Sequence, residues 1–290
     1  MKLVITIPAY NEEETIGSVI SNVKSVLEKS NHDFLIQVVD DGSTDRTATI
    51  ARESGAVVYS HHCNYGLAAT FKNEITRALE NDADTIVHID ADGQYRAEEI
   101  IPLIKPIENG EADLVLGSRF MGEIEEMPTI KQWGNRAFSK VVSQITKTEI
   151  TDAQTGYRAF TREVATNVNV FSSFTYTQEQ IIKSVENRFR VQEIPIYFAK
   201  REAGSSRLMT HPLDYAIKAG INLTRIYRDF APLRFFGLIG FSLFLLAVLV
   251  SLYSFFAFNR VMDVTILILF ISSIQIVTFG FLAEMVRNKY

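Results

Sequence analysis

Residues 87–95 read VHIDADGQY: an apolar stretch suited to a buried strand runs directly into two aspartates separated by one alanine. Two carboxylates so close repel and raise one another's pKa unless a cation sits between them. An extended backbone turns Asp90 and Asp92 to the same side, and Gln94 continues the alternation. Two carboxylates and an amide oxygen are hard ligands, suited to Mg²⁺ or Mn²⁺ and not to zinc. They fill only part of an octahedral shell, which leaves positions for phosphate oxygens. A diphosphate held between such an ion and the protein becomes a good leaving group by charge neutralisation.

Outward from this stretch, strand-like and helix-like segments alternate. The strand candidates are 3–9, 34–40, 56–61, 85–90 and 113–118, with amphipathic stretches between them. This rhythm predicts an α/β domain whose mostly parallel sheet is covered by helices on both faces. Ligands bind such sheets at the C-terminal strand ends, where PAYNEEE, DDGSTD and DADGQ fall after the first, second and fourth strands. Ser43 and Asp45 are placed to start the helix after DDG. Farther along, the pattern predicts a helix at 130–146, a loop at TDAQTGYR, a helix near 178–187 and a strand at 191–199.

The composition divides the 290 residues unevenly. Charges are mixed through 1–234, whereas 235–258 and 264–283 carry none until Glu284. Each run is long enough to cross a hydrocarbon core of ~30 Å as a helix. The five residues between them, NRVMD, force a hairpin. Lys218, Arg225, Arg228 and Arg234 precede the first run and Arg287 and Lys289 follow the second, against Arg260 alone in the turn. The positive-inside rule therefore places the N-terminal domain and both termini in the cytoplasm. Residues 211–234 form an amphipathic juxtamembrane segment, expected as a helix in the membrane interface, the alternative being a helix packed on the catalytic domain. The domain boundaries expected are 1–210, 211–234 and 235–290. Met1-Lys2 leads straight into a strand with no signal-peptide pattern, and the single cysteine, Cys63, excludes an intrachain disulfide framework. A net charge of −5 with no basic stripe argues against a nucleic-acid partner. His61, His62 and Cys63 have no companion cluster and read as a strand end and loop.

Basic residues complement the acidic loops. Arg119 ends the fifth strand, Arg136 lies on the next helix, and KREAGSSR (200–207) sets Lys200, Arg201 and Arg207 around a glycine and two serines. Arginine matches phosphate bidentately, and a glycine–serine loop can close over a nucleotide.

PAYNEE (8–13), VVDDGSTD (38–45), NYGLAAT (64–70), DADGQ (90–94), GSR (117–119), DAQTGYR (152–158) and REAGSSR (201–207) together resemble the ordered motif set of family 2 glycosyltransferases. The resemblance is to the polyprenyl-phosphate branch, typified by dolichol-phosphate mannose synthase and undecaprenyl-phosphate sugar transferases. It implies a GT-A fold and a nucleotide-diphosphate sugar donor. Pro8, Ala9, Tyr10, Glu12 and Asp40 or Asp41 would hold base and ribose; Asp90, Ala91, Asp92 and Gln94 would form the metal–diphosphate motif. Arg119, Arg136 and Ser139 would receive the acceptor phosphate, and Arg201 would reach the donor phosphates. Attack by the acceptor oxygen would invert the anomeric carbon.

The Glu-Asp base motif of hydroxyl-glycosylating relatives has no counterpart beyond Glu179 in TYTQEQ, and QxxRW is absent. A phosphate monoester already carries about −1.5 to −2 charge at pH 7 and needs cationic positioning more than a base. The expected reaction is therefore transfer of one sugar to a polyprenyl monophosphate embedded in membrane lipid. GDP-mannose is the first donor to consider, with UDP-glucose or UDP-N-acetylglucosamine as alternatives. Two other readings stay open: a hydroxyl acceptor with Asp152 or Glu179 as base, and a non-catalytic nucleotide-sugar-binding protein. Oligomeric state is open too, a homo-oligomer included.

Overall fold

The computed structural model describes residues 1–168, 170, 176–201, 212–259 and 263–287. They form two compact units, Met1–Ile217 and Lys218–Tyr290.

The first unit is built on seven strands: β1 (Lys2–Ala9), β2 (Asp33–Asp40), β3 (Val57–Ser60), β4 (Thr85–His88), β5 (Leu114–Ile124), β6 (Arg158–Thr161) and β7 (Val191–Phe198). Their order in the sheet is β3-β2-β1-β4-β6-β5-β7. Pairing is parallel throughout except at β6, which runs antiparallel between β4 and β5. The order reverses between β1 and β4, and the C-terminal ends of β1, β2 and β4 open on one crevice there.

Six of the seven strands lie where the apolar pattern predicts them. The exception is β6: the sequence reading ended in a loop at Arg158, whereas RAFT is a strand of four residues. A segment that short shows no periodicity, and only its two neighbours define it. β5 also runs beyond Ser118 to Ile124, with a register shift between Ser118 and Glu123. Gly122 is required at this irregularity, because a Cβ there would lie 2.0 Å from the Ile196 carbonyl oxygen.

Helices α1 (Ile16–Leu27), α2 (Thr47–Glu53), α3 (Leu67–Glu80), α4 (Ile100–Glu108), α5 (Thr129–Thr146), α6 (Arg162–Asn167) and α7 (Tyr176–Glu186) connect the strands. On α1, Ile16, Val19, Ile20, Val23 and Leu27 recur at helical spacing and are buried beside Leu3, Ile5 and Ile7 of β1 in the same core cluster. Helix α6, six residues long, is the other element that the sequence pattern does not reveal.

A further helix, α8 (Pro212–Phe230), covers the expected amphipathic segment. In the second unit, α9 (Pro232–Phe258) and α10 (Asp263–Arg287) are long and apolar enough to cross a membrane. They begin earlier or end later than the uncharged runs because Pro232 at the first turn and Glu284–Arg287 remain helical. The two helices approach closely at Gly240, where a Cβ would meet Val277 Cγ2 at 2.5 Å. There Ser273 donates its hydroxyl to the Gly240 carbonyl at 2.8 Å, a small-residue contact of the kind that joins helices in lipid. Residues 202–211, which include most of REAGSSR and Arg207, lie outside the described residues, as do Arg260 and Lys289.

Candidate active site

The loops after β1 and β2 interlock through backbone hydrogen bonds to side chains. Asn11, in left-handed backbone at φ 53°, donates its N–H to Ser43 Oγ at 2.8 Å and accepts from the Thr44 N–H at 2.7 Å. The Glu12 N–H donates to Thr47 Oγ1 at 2.8 Å, and the Arg46 N–H to Glu13 Oε2 at 3.0 Å. Asp45 accepts from the Thr47 N–H at 2.9 Å just ahead of α2, whose N-cap position is Arg46, whereas Ser43 serves the neighbouring loop. The polar residues of PAYNEEE and DDGSTD thus build the two loops into a single wall.

Asp40 and Asp41 divide their work. Asp41 accepts from His61 Nδ1 at 2.8 Å and from the N–H groups of Tyr65 and Gly66 at 2.9 and 2.8 Å. The other ring nitrogen of His61 meets Asn73 Nδ2 at 2.8 Å. Asp41 therefore shapes the loop before α3, and both its oxygens are engaged. Asp40 accepts from the Ser43 N–H at 3.1 Å, which leaves its second oxygen for a ligand. Of the two expected nucleotide contacts, the geometry favours Asp40.

Asp90 and Asp92 follow β4 directly. Asp92 accepts from the Gln94 N–H at 3.1 Å and pairs with Arg201 Nη2 at 2.9 Å, while the same nitrogen lies 3.7 Å from Glu12 Oε1. Arg201, just past β7, thereby joins the loops after β1 and β4. Burial and the neighbouring Asp90 charge push Asp92 up to about 6, against the Gln94 N–H and Arg201. Asp90 moves the other way: burial would raise it, but His88, Arg119 and Arg158 hold it below the usual carboxylate range. The divergence follows from proximity of two like charges with unequal cationic support. Gln94 donates its amide nitrogen to the Ala199 carbonyl at 2.9 Å, so its side chain is tied to the end of β7.

Asp90 is also shaped from behind. A Cβ on Gly156 would lie 2.5 Å from Asp90 Oδ2, so the loop of DAQTGYR must carry glycine there. Gly156 is held by its N–H donating to Tyr95 Oη at 3.2 Å. Among the described residues no group of three or more His, Cys, Asp or Glu gathers as a complete cation cage. Two oxygen-bearing side chains with Glu12 near Asp92 form a partial shell of hard donors, which fits an ion completed by phosphate oxygens.

The expected acceptor residues stand otherwise than the sequence reading has them. Arg119, 4% exposed, is held bidentately by the fully buried Asp152 at 2.6 and 2.9 Å and lies over the Phe198 ring. Burial opposes its charge, but Asp152, Tyr95 and Asp90 keep it protonated. Ser139 is buried; its hydroxyl donates to the Asn135 carbonyl at 3.0 Å and accepts from the Ala153 N–H at 2.9 Å. It is a pin between α5 and the loop before β6, not an open phosphate contact. Arg136 is exposed and lies over Phe120 at 5.2 Å. The three residues share one region without forming a ready-made triad, because tertiary partners claim two of them. Glu179 is buried and paired with Lys183 at 3.0 Å.

Several residues of this site escaped the sequence reading. Lys131 on α5 lies within electrostatic reach of Asp92 and Asp90; burial and the Arg119 charge lower its pKa. Arg158, fully buried, donates to the carbonyls of Thr177 and Thr155 and to Gln180 Oε1. Glu74 and His88, 0% exposed, pair at 3.0 Å behind Asp90. A signal for them exists in the sequence: a histidine ends an otherwise apolar strand core, and Glu74 falls on the same helical face as Phe71 and Ala78.

Comparison with known proteins agrees with this geometry. Residues 4–168 match the model of glycosyl transferase family 2, and residues 231–288 match that of the GtrB C-terminal hairpin. The UDP-N-acetylglucosamine–dolichyl-phosphate N-acetylglucosaminyltransferase of Methanococcus voltae is 31% identical over 214 residues, spanning 66% of this chain and 83% of that protein. The dolichyl-phosphate hexose transferase of Haloferax volcanii is 30% identical over 207 residues, 71% of this chain and 86% of that one. Among solved structures, glucosyl-3-phosphoglycerate synthase of Mycobacterium tuberculosis, with Mn²⁺, UDP-glucose and phosphoglyceric acid, superposes with a TM-score of 0.60 at 21% identity. That superposition covers 77% of this chain and 79% of the synthase and shows a common GT-A architecture. With its crevice at the β1–β4 reversal and a matching model over more than half its length, the chain belongs to glycosyl transferase family 2.

Proposed function

We propose that this glycosyltransferase moves one sugar, with inversion, from a nucleotide diphosphate to a polyprenyl monophosphate at the cytoplasmic membrane face. The observation that carries the acceptor is the state of Asp152, fully buried and gripped by Arg119 through both oxygens. A carboxylate so engaged is a poor general base, and Glu179 is likewise buried and paired. An acceptor that arrives ionised needs neither. It needs cations, and Arg136 and Lys131 on α5 supply them beside the buried Arg119.

A divalent ion, Mg²⁺ or Mn²⁺, bound by Asp90 and Asp92 would neutralise the diphosphate as it leaves. Arg201, now paired with Asp92, would exchange it for a donor phosphate, and Asp40, Pro8, Ala9, Tyr10 and Glu12 would hold base and ribose. Gln94 braces the end of β7 against this motif. The similarity to two dolichyl-phosphate sugar transferases supports the acceptor class. Helices α9 and α10 suit a substrate whose isoprenoid stays in the bilayer at ~0.8 kcal/mol per buried CH₂. The flanking cations support placing the catalytic unit in the cytoplasm, with α8 in the interface.

The test is a panel of GDP-mannose, UDP-glucose and UDP-N-acetylglucosamine with dolichyl or undecaprenyl phosphate and Mg²⁺ or Mn²⁺. One donor is expected to label the lipid. Labelling of a glycan hydroxyl in place of lipid with every donor would reject the acceptor.

A further inference from the structure

Next to Asp90 lies a buried pair to which the proposed transfer assigns no role. Glu74 of α3 and His88 of β4 are both 0% exposed, with Glu74 Oε2 3.0 Å from His88 Nδ1. The other ring nitrogen, Nε2, has no hydrogen-bond partner and lies 3.6 Å from Asp90 Oδ1. Phe71 and Tyr176 wall the imidazole at ring-centroid distances of 5.4 and 6.4 Å. Gly156 packs against the Asp90 carboxylate, and only the lack of a side chain there accommodates it, since an added Cβ would overlap both of its oxygens.

We propose that the Glu74–His88 pair is a positioning device for Asp90: Glu74 fixes the imidazole, and the imidazole fixes the carboxylate that takes the divalent cation beside Asp92. The inference rests on the metal role proposed for Asp90. Stability alone does not account for the pair, because a buried ion pair can often be exchanged for apolar residues of similar volume at little cost. Nor does satisfaction of hydrogen bonds account for it, since Glu74 Oε1 and His88 Nε2 are both left without one. The arrangement instead leaves one imidazole nitrogen aimed at a single carboxylate oxygen. Groups that orient metal ligands typically matter by 10–100-fold in affinity. His88 thus does for an aspartate ligand what a carboxylate does for a histidine ligand elsewhere. Arg158, the cross-strand partner of His88, adds a buried guanidinium whose charge acts on Asp90.

The test is titration of the purified full-length protein with Mn²⁺, alone and with UDP or GDP, reading free Mn²⁺ by electron paramagnetic resonance. Circular dichroism checks the fold of every variant. The expected order of affinity is parent, then Glu74→Gln, which keeps a hydrogen bond to His88, then the double variant Glu74→Leu/His88→Phe. The double variant fills the same space with apolar groups, and its loss should be roughly 10–100-fold. Saturating Mn²⁺ should return most of the sugar-transfer activity of Glu74→Gln, which a purely structural role would not produce. A folded double variant with parental affinity overturns the proposal if Asp90→Asn loses binding. Parental affinity in Asp90→Asn itself removes the metal role and the proposal with it.

Discussion

Arg201 Nη2 lies 2.9 Å from Asp92 Oδ2 and 3.7 Å from Glu12 Oε1, so one guanidinium joins the loop after β1 to the motif after β4. Arg201→Ala should raise the KM for the sugar nucleotide by roughly 10–100-fold, the range of a lost hydrogen bond to a charged group. The KM for the lipid acceptor should stay within about twofold. Steady-state kinetics with each substrate varied in turn separates the two. An equal rise in both would place Arg201 elsewhere in the reaction.

The Arg119–Asp152 pair makes a different demand. Removing one partner leaves a buried charge unpaired, so Asp152→Asn should destabilise the catalytic unit by about 3–5 kcal/mol. Arg119→Met/Asp152→Leu should recover most of that stability without recovering transfer, because the cation beside Asp90 is gone. Thermal unfolding of the three proteins checks the first statement and turnover checks the second. A stable Asp152→Asn would contradict the first, and an active double variant the second.

Gly156 bears on the metal motif without touching its charge. Gly156→Ala places a methyl group 2.5 Å from Asp90 Oδ2, so the carboxylate must shift. Mn²⁺ affinity should fall, with native circular dichroism. Unchanged affinity would show that Asp90 has more freedom than its surroundings suggest.

A pH effect follows from Asp113 and Arg190. Arg190 donates to Asp113 Oδ2 and Oδ1 at 3.0 and 2.8 Å, and these hydrogen bonds hold the Asp113 carboxyl below the usual range against the opposing effect of burial. A depressed folded-state pKa means the contribution is present above the unfolded value and is lost as pH falls through the folded one. Arg190 is half exposed, so solvent screening keeps the contribution small. The stability difference between parent and Asp113→Asn should therefore be present at pH 7 and shrink as pH falls through and below the ordinary aspartate range. Denaturant unfolding at several pH values measures it; a difference that grows in acid would reverse the assignment.

Much of this molecule could be read before its coordinates. Apolar strands such as Leu3–Ala9 and Val87–Ile89 announce themselves because a parallel sheet buries both faces. The carboxylates of DADGQ were legible as chemistry because repulsion at a strand end needs an explanation. What remained hidden depends on partners distant in sequence. Ser139 looks free until the Ala153 N–H claims it, and Asp41 resembles Asp40 until His61 and the 65–66 backbone occupy it. β6 exists only because β4 and β5 are there to pair with it.

The central claim is cation-dependent transfer of a sugar to a lipid phosphate. Its most direct measurement is the donor panel with radiolabelled sugars and polyprenyl phosphate, run with Mn²⁺, with a chelator, and with Asp92→Ala. Label is expected in the organic extract with one donor, reduced to background by chelator and by the substitution. Label in that extract at parental rate from Asp92→Ala or without divalent cation, or label only on water-soluble hydroxyl acceptors, would contradict the account.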